Sequence, residues 1–483
     1  MLVLNGQVFY NKRFQALDLR ILGDKIVELR PRGAFASKEA AQTATAYPGE
    51  DLVDAKGLLV LPGLTDIHTH GAVRADFSDG DLEGLRRIQA YQAGVGVTQF
   101  CPTSMTLGLD RLGQIFQGLQ SLSREDSQKR KRSQDPGRPQ EEKRERSQDP
   151  ERNQAQKRTP ELSQNSKCRQ DPEGNQAQKL TPEGNQNPEG SKDLGRPQEE
   201  AQGQEGSQSQ NRARPQGAEI LGIHMEGPYI SPAKLGAQNP AYVLQAQYED
   251  FARLAELSGH RISLVSLAPE MPGALDFIRQ AAGETLISVA HTQATYDQTL
   301  AAFEAGARHL THMFNAMPGL HHREPGPIAA ARDCPEVTVE LIGDGVHIHP
   351  AMVRLAFALF PGRVCLVSDS MRATGLGAGE YDLGGQTVWV KGKEARLAQG
   401  ALAGSVTNLA DVLRTVYAMG IPLEEAVYAA TACPAQAIGQ GQLYGSLAPG
   451  AYANFILADE ALTFQAIYIR GQKHVPSPTS HEA

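Results

Sequence analysis

The stretch LPGLTDIHTHG, residues 61–71, ends an apolar run with two histidines that are one residue apart. Successive side chains of a β-strand point to opposite faces, so His68 and His70 are expected on the same side of one strand. Two imidazoles on one side of a strand end are suited to share a metal ion. Taken alone, such a pair more often consists of polar residues at the point where a strand leaves the core. The choice between a metal site and this structural interpretation therefore depends on the rest of the chain.

Short apolar runs alternate with helix-like segments and predict eight strands, near residues 58–68, 96–103, 219–225, 261–269, 285–291, 307–313, 337–343 and 363–369. Helix-like segments such as DLEGLRRIQAYQAG and TYDQTLAAFEAG separate several of these runs, and both end on glycine, as helices often do. Eight strand–helix units predict an α/β fold, a (β/α)8 TIM-type barrel. A flatter doubly wound sheet is the less favoured alternative.

Acidic and histidine residues recur where the predicted strands end. In order, the runs end at or near His68 and His70, Thr103, Glu226, Glu270, His291, His312, His347 and Asp369. In barrels of this kind, the chemistry takes place at the C-terminal ends of the strands. One histidine at a strand end is usually structural, but so many at one rim favour the metal interpretation of the first pair.

Both ends of the chain alternate like strands, at residues 2–9, 18–29 and 51–60 and in the C-terminal ANFILADEALTFQAIYIRGQKH. Neither end completes a sheet alone. We therefore expect residues 1–61 and 443–475 to pair into a small β-sandwich domain beside a catalytic barrel over 62–442.

A long polar region interrupts the predicted barrel, and no aromatic residue lies between Phe116 and Tyr229. Short units such as SQDP, NQAQK and RPQEE recur within it, and such sequence buries too little apolar surface to offset chain entropy. Residues 124–217 are predicted to be a disordered low-complexity insertion that emerges on the face opposite the active site. Its KRKR run at 129–132 is interpreted as a solvated charge run, because acidic residues lie nearby and the chain carries a net charge of −8.

Cysteine usage and hydropathy indicate the compartment. The five cysteines are scattered without a CxxC pair, which is typical of free thiols in a reducing cytosol. We find neither a signal peptide nor an apolar run near the ~20 residues that span a bilayer. The sequence therefore predicts a cytoplasmic protein with neither a membrane nor a nucleic acid as partner.

Several ordered motifs resemble the N-acetylglucosamine-6-phosphate deacetylases of the amidohydrolase superfamily. They are PGLTDIHTHG, GIHMEGPYISPAKLGAQNP, SVAHTQAT, THMFNAMPGLHHREPG and DGVHIHP, followed by LVSDSM and GALAGS. The resemblance covers residues 1 to about 475 apart from the insertion, and it implies the same barrel with a small β-sandwich. It also implies metal-dependent hydrolysis of the acetamide of N-acetyl-D-glucosamine 6-phosphate to D-glucosamine 6-phosphate and acetate.

The resemblance implies that Glu226, His291 and His312 hold a divalent metal ion, Zn²⁺ or Fe²⁺. Carboxylate and imidazole ligands on neighbouring strands suit either ion and leave an open position for water. Some family members have Gln and Asn in place of the first histidine pair and use one metal. Because His68 and His70 are both present here, a second ion bridged by Glu226 is a hypothesis, and the chain is expected to bind one or two ions.

Asp369, in LVSDSM at the end of the last strand, resembles the catalytic carboxylate of the family. In a two-ion centre it is also expected to complete the first metal site. An aspartate that leaves an apolar strand can instead cap the next helix, but its position on the rim favours catalysis. It is expected to accept a proton from water and deliver it to the departing amine, while His347 helps to stabilise the oxyanion.

Arg323 of HHREPG is expected to bind the substrate phosphate, because its guanidinium presents a planar fork of donors. Without the resemblance, a surface arginine after a turn is the favoured interpretation. The resemblance places further residues around the sugar phosphate, namely Ala237, Asn315, Ala316, Asp344, Gly345, Val346, His347, Leu402, Ala403 and Gly404. The expected partners are a small-molecule amino-sugar phosphate and a second copy of the chain in a homodimer.

Two departures from the family and two rival functions remain. Gln238 replaces a histidine found in many members, so it receives no role, and HGAVRAD lacks the usual glycine-rich run.

A cyclic-amidase-type amidohydrolase would bridge two metals with a modified lysine after the fourth strand, where LAPEM has none. A non-catalytic sugar-phosphate-binding protein is disfavoured because Asp369 and the expected metal ligands are all present.

Overall fold

The computed structural model describes residues 1–35, 51–134 and 217–474 of the 483-residue chain. The strands, in chain order, are β1 (Leu2–Tyr10), β2 (Arg13–Leu22), β3 (Lys25–Pro31), β4 (Leu52–Asp54), β5 (Leu59–Pro62), β6 (Leu64–Thr69), β7 (Gly71–Ala72), β8 (Ala75–Asp76), β9 (Val97–Ser104), β10 (Glu219–Ile220), β11 (Ile223–Glu226), β12 (Ile262–Leu267), β13 (Leu286–Val289), β14 (His309–Leu310), β15 (Thr338–Ile342), β16 (Val364–Val367), β17 (Gly379–Leu383), β18 (Gln386–Lys391), β19 (Glu394–Leu397), β20 (Phe455–Ala458), β21 (Phe464–Ile469) and β22 (Gln472–His474). The α-helices are α1 (Leu82–Gly94), α2 (Leu109–Gln134), α3 (Tyr248–Ser258), α4 (Ala274–Ala281), α5 (Tyr296–Ala305), α6 (Gly326–Asp333), α7 (Pro350–Leu359), α8 (Leu409–Ala418), α9 (Leu423–Ala430) and α10 (Ala432–Ala437). Short 3-10 helices lie at Phe77–Asp79 and Pro240–Tyr242.

The two ends of the chain meet in one eight-stranded sheet, which confirms a small β-domain built from both ends. Its order is β22-β21-β20-β5-β1-β2-β3, with β4 beside β1. The edge strand β3 also contacts the segment that precedes β20, where the Ile26 amide donates to the Ala451 carbonyl at 2.9 Å. Val8, Val60 and Phe455 are buried together with their neighbours in the core of this domain.

Eight parallel strands form the predicted (β/α)8 barrel. Strands β9, β11, β12, β13, β14, β15 and β16 pair in sequence, and β6 pairs with β9. A parallel bridge between Thr69 and Ser370 closes the ring, and the Asp369 amide donates to the His68 carbonyl at 2.9 Å. Each of the eight predicted runs therefore contributes one barrel strand.

Gly63 lies between the β-domain and the barrel, within the stretch LPGLTDIHTHG. It separates β5 from β6, and a Cβ atom at this position would lie 1.9 Å from Thr98 Oγ1. Because the Thr98 side chain packs directly against this backbone position, no Cβ fits there and glycine is required.

The helices begin and end at local capping signals. Helix α5 begins with a capping box between Thr295 and Gln298 and ends at Gly306, which has a φ of 126°. Helix α3 buries Phe251, Leu254 and Ala255, three residues on one helical face. These faces cover the outside of the barrel, as expected for parallel strands buried on both sides.

A three-stranded antiparallel sheet, β17–β18–β19, was not among the eight predicted strands. It packs through Leu383, Val388 and Val390 against Met105 at the end of the barrel, and Gln386 Nε2 donates to the Ala237 carbonyl at 2.6 Å. The strand count missed it because it alternates exposed and buried residues instead of forming a continuous apolar run.

Helix α2 continues through residues 124–134, where the composition predicts the start of the disordered insertion. The Arg, Glu, Lys and Gln residues of this segment are good helix formers, so its backbone can extend the helix that begins at Leu109. Most of the predicted insertion lies outside the described residues. Within the described ranges, the helices are too short or too polar to cross a membrane.

Candidate active site

Six acidic and histidine side chains come together at the carboxyl ends of barrel strands: His68, His70, Glu226, His291, His312 and Asp369. All six are buried. His291, His312 and Asp369 have φ values of 42°, 29° and 46°, a region that non-glycine residues rarely adopt. Such strained backbone persists where the surrounding structure over-determines it, as at functional sites.

The first cluster consists of one carboxylate and two imidazoles. Oε1 of Glu226 lies 3.1 Å from Nε2 of His291 and 3.1 Å from Nε2 of His312, and the two nitrogens are 3.1 Å apart. Three potential ligand atoms therefore surround one point.

The second cluster uses the same carboxylate and the histidine pair of β6. Nε2 of His68 lies 3.4 Å from Glu226 Oε1, and Nε2 of His70 lies 3.3 Å from Glu226 Oε2. Oδ1 of Asp369 lies 3.5 Å and 3.4 Å from these two nitrogens. Glu226 therefore belongs to both clusters, and Asp369 borders the second.

The hydrogen bonds behind the histidines test whether a metal ion fits. Nδ1 lies near an oxygen acceptor in three of them: 2.8 Å from Glu340 for His68, 3.2 Å from the Thr103 carbonyl for His70, and 2.8 Å from the Lys234 carbonyl for His291. A neutral imidazole that donates from Nδ1 presents a bare Nε2. Bare nitrogens that face carboxylate oxygens repel them unless a cation lies between, so the donor set fits a divalent metal ion.

The two carboxylates are held in the ionised form. In the absence of a metal ion, burial raises the pKa of Glu226, but the charge of a protonated His68 and hydrogen bonds from His291 and His312 outweigh burial and hold that pKa well below its usual value. A divalent cation between these groups would replace those protons and likewise favour the ionised carboxylate. Burial likewise raises the pKa of Asp369, and His68 and His70 lower it further than burial raises it. Glu226 is thus in the form that binds metal, and Asp369 can accept a proton.

A cavity of about 220 Å³ opens over the clusters. Six of the residues predicted to surround the sugar phosphate line it: Ala237, Asn315, Ala316, His347, Leu402 and Gly404. Met105, Ile342 and Leu383 give it apolar walls. Nδ1 of His347 lies 2.8 Å from Asp344 Oδ2, which orients the ring.

Other predicted residues do not line this cavity. Asp344 accepts hydrogen bonds from the backbone amides of Val346 and His347, so its carboxylate supports His347 from behind. Gly345 and Val346 belong to the same turn, and Ala403 is buried in the apolar cluster that contains Leu383 and Val388. Arg323 is exposed, and Nη1 of its guanidinium lies 2.6 Å from His322 Nε2.

Two side chains of the site were missed or left without a role. Gln238 is buried, its Nε2 donates to Glu226 Oε2 at 2.6 Å, and its Oε1 accepts from the Thr106 amide at 2.8 Å. Its only sequence signal is the replacement of the usual family histidine. Glu340 carried a clearer signal, because it is an acidic residue inside the apolar run VTVELIG.

The chain is similar to several known proteins. The model of the Amidohydrolase family matches residues 210–474. An N-acetylgalactosamine-6-phosphate deacetylase of Escherichia coli O157:H7 is 38% identical over 258 residues, which are 53% of this chain and 68% of that protein. An N-acetylglucosamine-6-phosphate deacetylase of Vibrio furnissii is 35% identical over 266 residues, 55% of this chain and 67% of that protein.

A solved structure resembles the chain over nearly its whole length. It is an Asp-to-Ala mutant of the N-acetyl-D-glucosamine-6-phosphate deacetylase of Mycobacterium smegmatis, in complex with N-acetyl-D-glucosamine 6-phosphate. The TM-score is 0.72 at 26% identity, with 98% of each chain covered.

Proposed function

The chain belongs to the amidohydrolase family and is an amide-hydrolysing enzyme, and we propose that it hydrolyses the acetamide of N-acetyl-D-glucosamine 6-phosphate to D-glucosamine 6-phosphate and acetate. One observation carries the proposal: Glu226 is shared by two histidine pairs beside the ionised Asp369, at one end of a cavity. Relatives at 35% and 38% identity are named as deacetylases of N-acetylated hexosamine 6-phosphates.

Two ions, Zn²⁺ or Fe²⁺, would be held here. Glu226, His291 and His312 would hold one, and Glu226, His68 and His70 would hold the other, with Asp369 beside it. When bound, such an ion lowers the pKa of water towards ~7 and polarises a carbonyl oxygen.

The residues of the chain supply the proton transfers. Asp369 accepts a proton from the attacking water and then donates it to the departing nitrogen. His347 stabilises negative charge on the acetyl oxygen. Burial lowers its pKa, but Asp344 raises it more, which favours an imidazolium with Nδ1–H on Asp344 and Nε2–H free for that oxygen.

The experiment is an acetate-release assay with metal-stripped and metal-reloaded protein. N-acetyl-D-glucosamine 6-phosphate is compared with its galactosamine epimer, because one relative is named for the latter. We expect release from the glucosamine substrate by reloaded protein only. Turnover of the galactosamine epimer alone would identify the epimer, and not the glucosamine sugar, as the substrate. Hydrolysis of dihydroorotate instead would favour the cyclic-amidase alternative. Binding of the sugar phosphate without acetate release would favour the non-catalytic alternative.

Arg323 is proposed to bind the substrate phosphate. Among the residues that the structure describes, no carboxylate forms an ion pair with its exposed guanidinium. Since a hydrogen bond to a charged group contributes about 1.5–3 kcal/mol, Arg323→Ala should raise KM roughly 10–100-fold for the phosphorylated sugar. The change with unphosphorylated N-acetylglucosamine should be much smaller. Arg279→Ala, at an exposed arginine of α4, is the control, and equal effects on both sugars would contradict the phosphate role.

The proposal extends to assembly and compartment. The enzyme is a cytoplasmic homodimer, and the free thiols of Cys101, Cys334, Cys365 and Cys433 suit a reducing compartment. Sedimentation equilibrium measures the oligomeric state.

A further inference from the structure

Glu340 is a carboxylate buried inside the barrel, on β15. Its Oε2 lies 2.8 Å from His68 Nδ1 and accepts from the His312 amide at 3.1 Å, and its Oε1 lies 3.2 Å from His309 Nε2. A buried carboxylate is costly unless it is fully hydrogen-bonded. Three donors surround this one, so Glu340 remains a carboxylate within the barrel.

This contact determines which ring nitrogen of His68 is protonated. Because Nδ1 faces a carboxylate, it is the nitrogen that keeps its hydrogen when the ring is neutral, and Nε2 then presents a lone pair to a cation. That Nε2 is buried and has no hydrogen-bond partner among the described residues. It lies 3.4 Å from Glu226 Oε1 and 3.5 Å from Asp369 Oδ1, so three electron-rich atoms face one another.

The four histidines of the site differ in the group that contacts their Nδ1 atom. His70 and His291 are backed by backbone carbonyls, and Nδ1 of His312 has no partner in the described part of the chain. His68 is backed by a carboxylate. A carboxylate behind a ligating imidazole fixes its tautomer and raises its basicity as a ligand.

Glu340 is itself held in place from the opposite side. His309 donates to it, and Nδ1 of His309 lies 2.6 Å from Thr338 Oγ1. The backbone amide of His312 occupies Oε2 as well. With both oxygens engaged, the carboxylate cannot rotate away from His68.

We propose that Glu340 is a positioning residue that reserves Nε2 of His68 for a second divalent metal ion, at the site formed by His68, His70 and Glu226. The proposal rests on the metal-dependent function proposed above. An ion held by His291 and His312 would not depend on the charge of Glu340 in this way, because Glu340 contacts only a backbone amide there.

The test compares metal binding by wild type and Glu340→Gln. Metal-free protein is titrated with Co²⁺, and binding is followed by visible absorption. The number of ions bound per chain after desalting is measured by inductively coupled plasma mass spectrometry. Wild type should bind two ions per chain. Glu340→Gln should keep the first, and its affinity for the second should fall about 10–100-fold. Glu336→Gln, an exposed carboxylate just before the same strand, is the matched control and should bind both ions normally.

A conservative variant keeps the test decisive. Glu340→Asp retains the charge but withdraws it by one methylene, so it should lose part of the affinity for the second ion. It also carries the experiment if Glu340→Gln does not fold. A merely structural role would lower the affinity for both ions in parallel, and that result would overturn the proposal, as would two ions bound with unchanged affinity.

Failure of this inference and failure of the proposed function give different results. Wild-type protein that releases acetate with one ion bound would overturn the role of Glu340 and leave the deacetylase standing. Protein that binds two ions, loses the second in Glu340→Gln, and releases no acetate from either hexosamine phosphate would support this inference and refute the deacetylase.

Discussion

Replacing Asp369 with asparagine is expected to lower kcat by about 10²–10⁴-fold, the contribution typical of a positioned general acid–base group. Asparagine keeps the size and one carbonyl oxygen of the side chain, but it cannot take a proton from water. The pKa of Asp369 lies below its usual value despite burial, because His68 and His70 lie beside it, so the wild-type residue is an ionised base at neutral pH. We expect KM to change little.

The measurement pairs steady-state kinetics with metal analysis of the same sample. Asp369→Asn should retain bound metal while turnover falls, which separates proton transfer from metal binding. Asp382→Asn, at an exposed aspartate of β17, should behave like wild type. A kcat within about threefold of wild type would show that Asp369 does not transfer the proton, because general acid–base catalysis contributes at least about 10²-fold.

Replacing Glu226 with glutamine is expected to abolish both metal binding and activity. Its two oxygens lie 3.1–3.4 Å from the Nε2 atoms of all four site histidines, so one substitution removes the anionic ligand from both clusters. We expect turnover to fall by roughly 10³-fold or more, because the chemistry that the metal supplies is lost together with the shared ligand. Since a ligand that binds only the folded state stabilises it, added Zn²⁺ should no longer raise Tm.

Another glutamate at a strand end offers a matched control. Glu270 follows β12, and its carboxylate accepts hydrogen bonds from the Thr292 hydroxyl and the Gln293 amide instead of facing imidazoles. Glu270→Gln should keep metal and activity. Full metal content in Glu226→Gln would show that the histidines alone hold the ions and would contradict the shared-ligand geometry.

Much of the architecture was predictable because its causes are local. Apolar runs that end at His68, His312 or Asp369 are strands buried on both faces, and their alternation with amphipathic helices leaves few topologies. The sheet of β17–β19 escaped the same count, because its exposed face breaks the apolar pattern.

The candidate site was predictable only at the barrel rim. The carboxyl ends of parallel strands meet at one edge, so residues at those ends converge whatever their separation in the chain. Glu340 is within its strand, and its contact with His68 joins positions 272 residues apart. Nothing in the spacing of the chain indicates that contact. Arg323 stays a prediction, because a motif associates it with the phosphate while its exposed side chain does not line the cavity.

The amino-acid sequence by itself determined the barrel, the pairing of both chain ends and the residue types available at the rim, since periodicity and strand order act through neighbours along the chain. Only the tertiary structure decided that Glu226 lies between two histidine pairs, that Gln238 donates a hydrogen bond to Oε2 of Glu226, and that Glu340 contacts Nδ1 of His68. These relations are hydrogen bonds and charge contacts a few ångströms long. They depend on which side chains point inward at the same level of a closed barrel, and such directions exist only once the chain has folded.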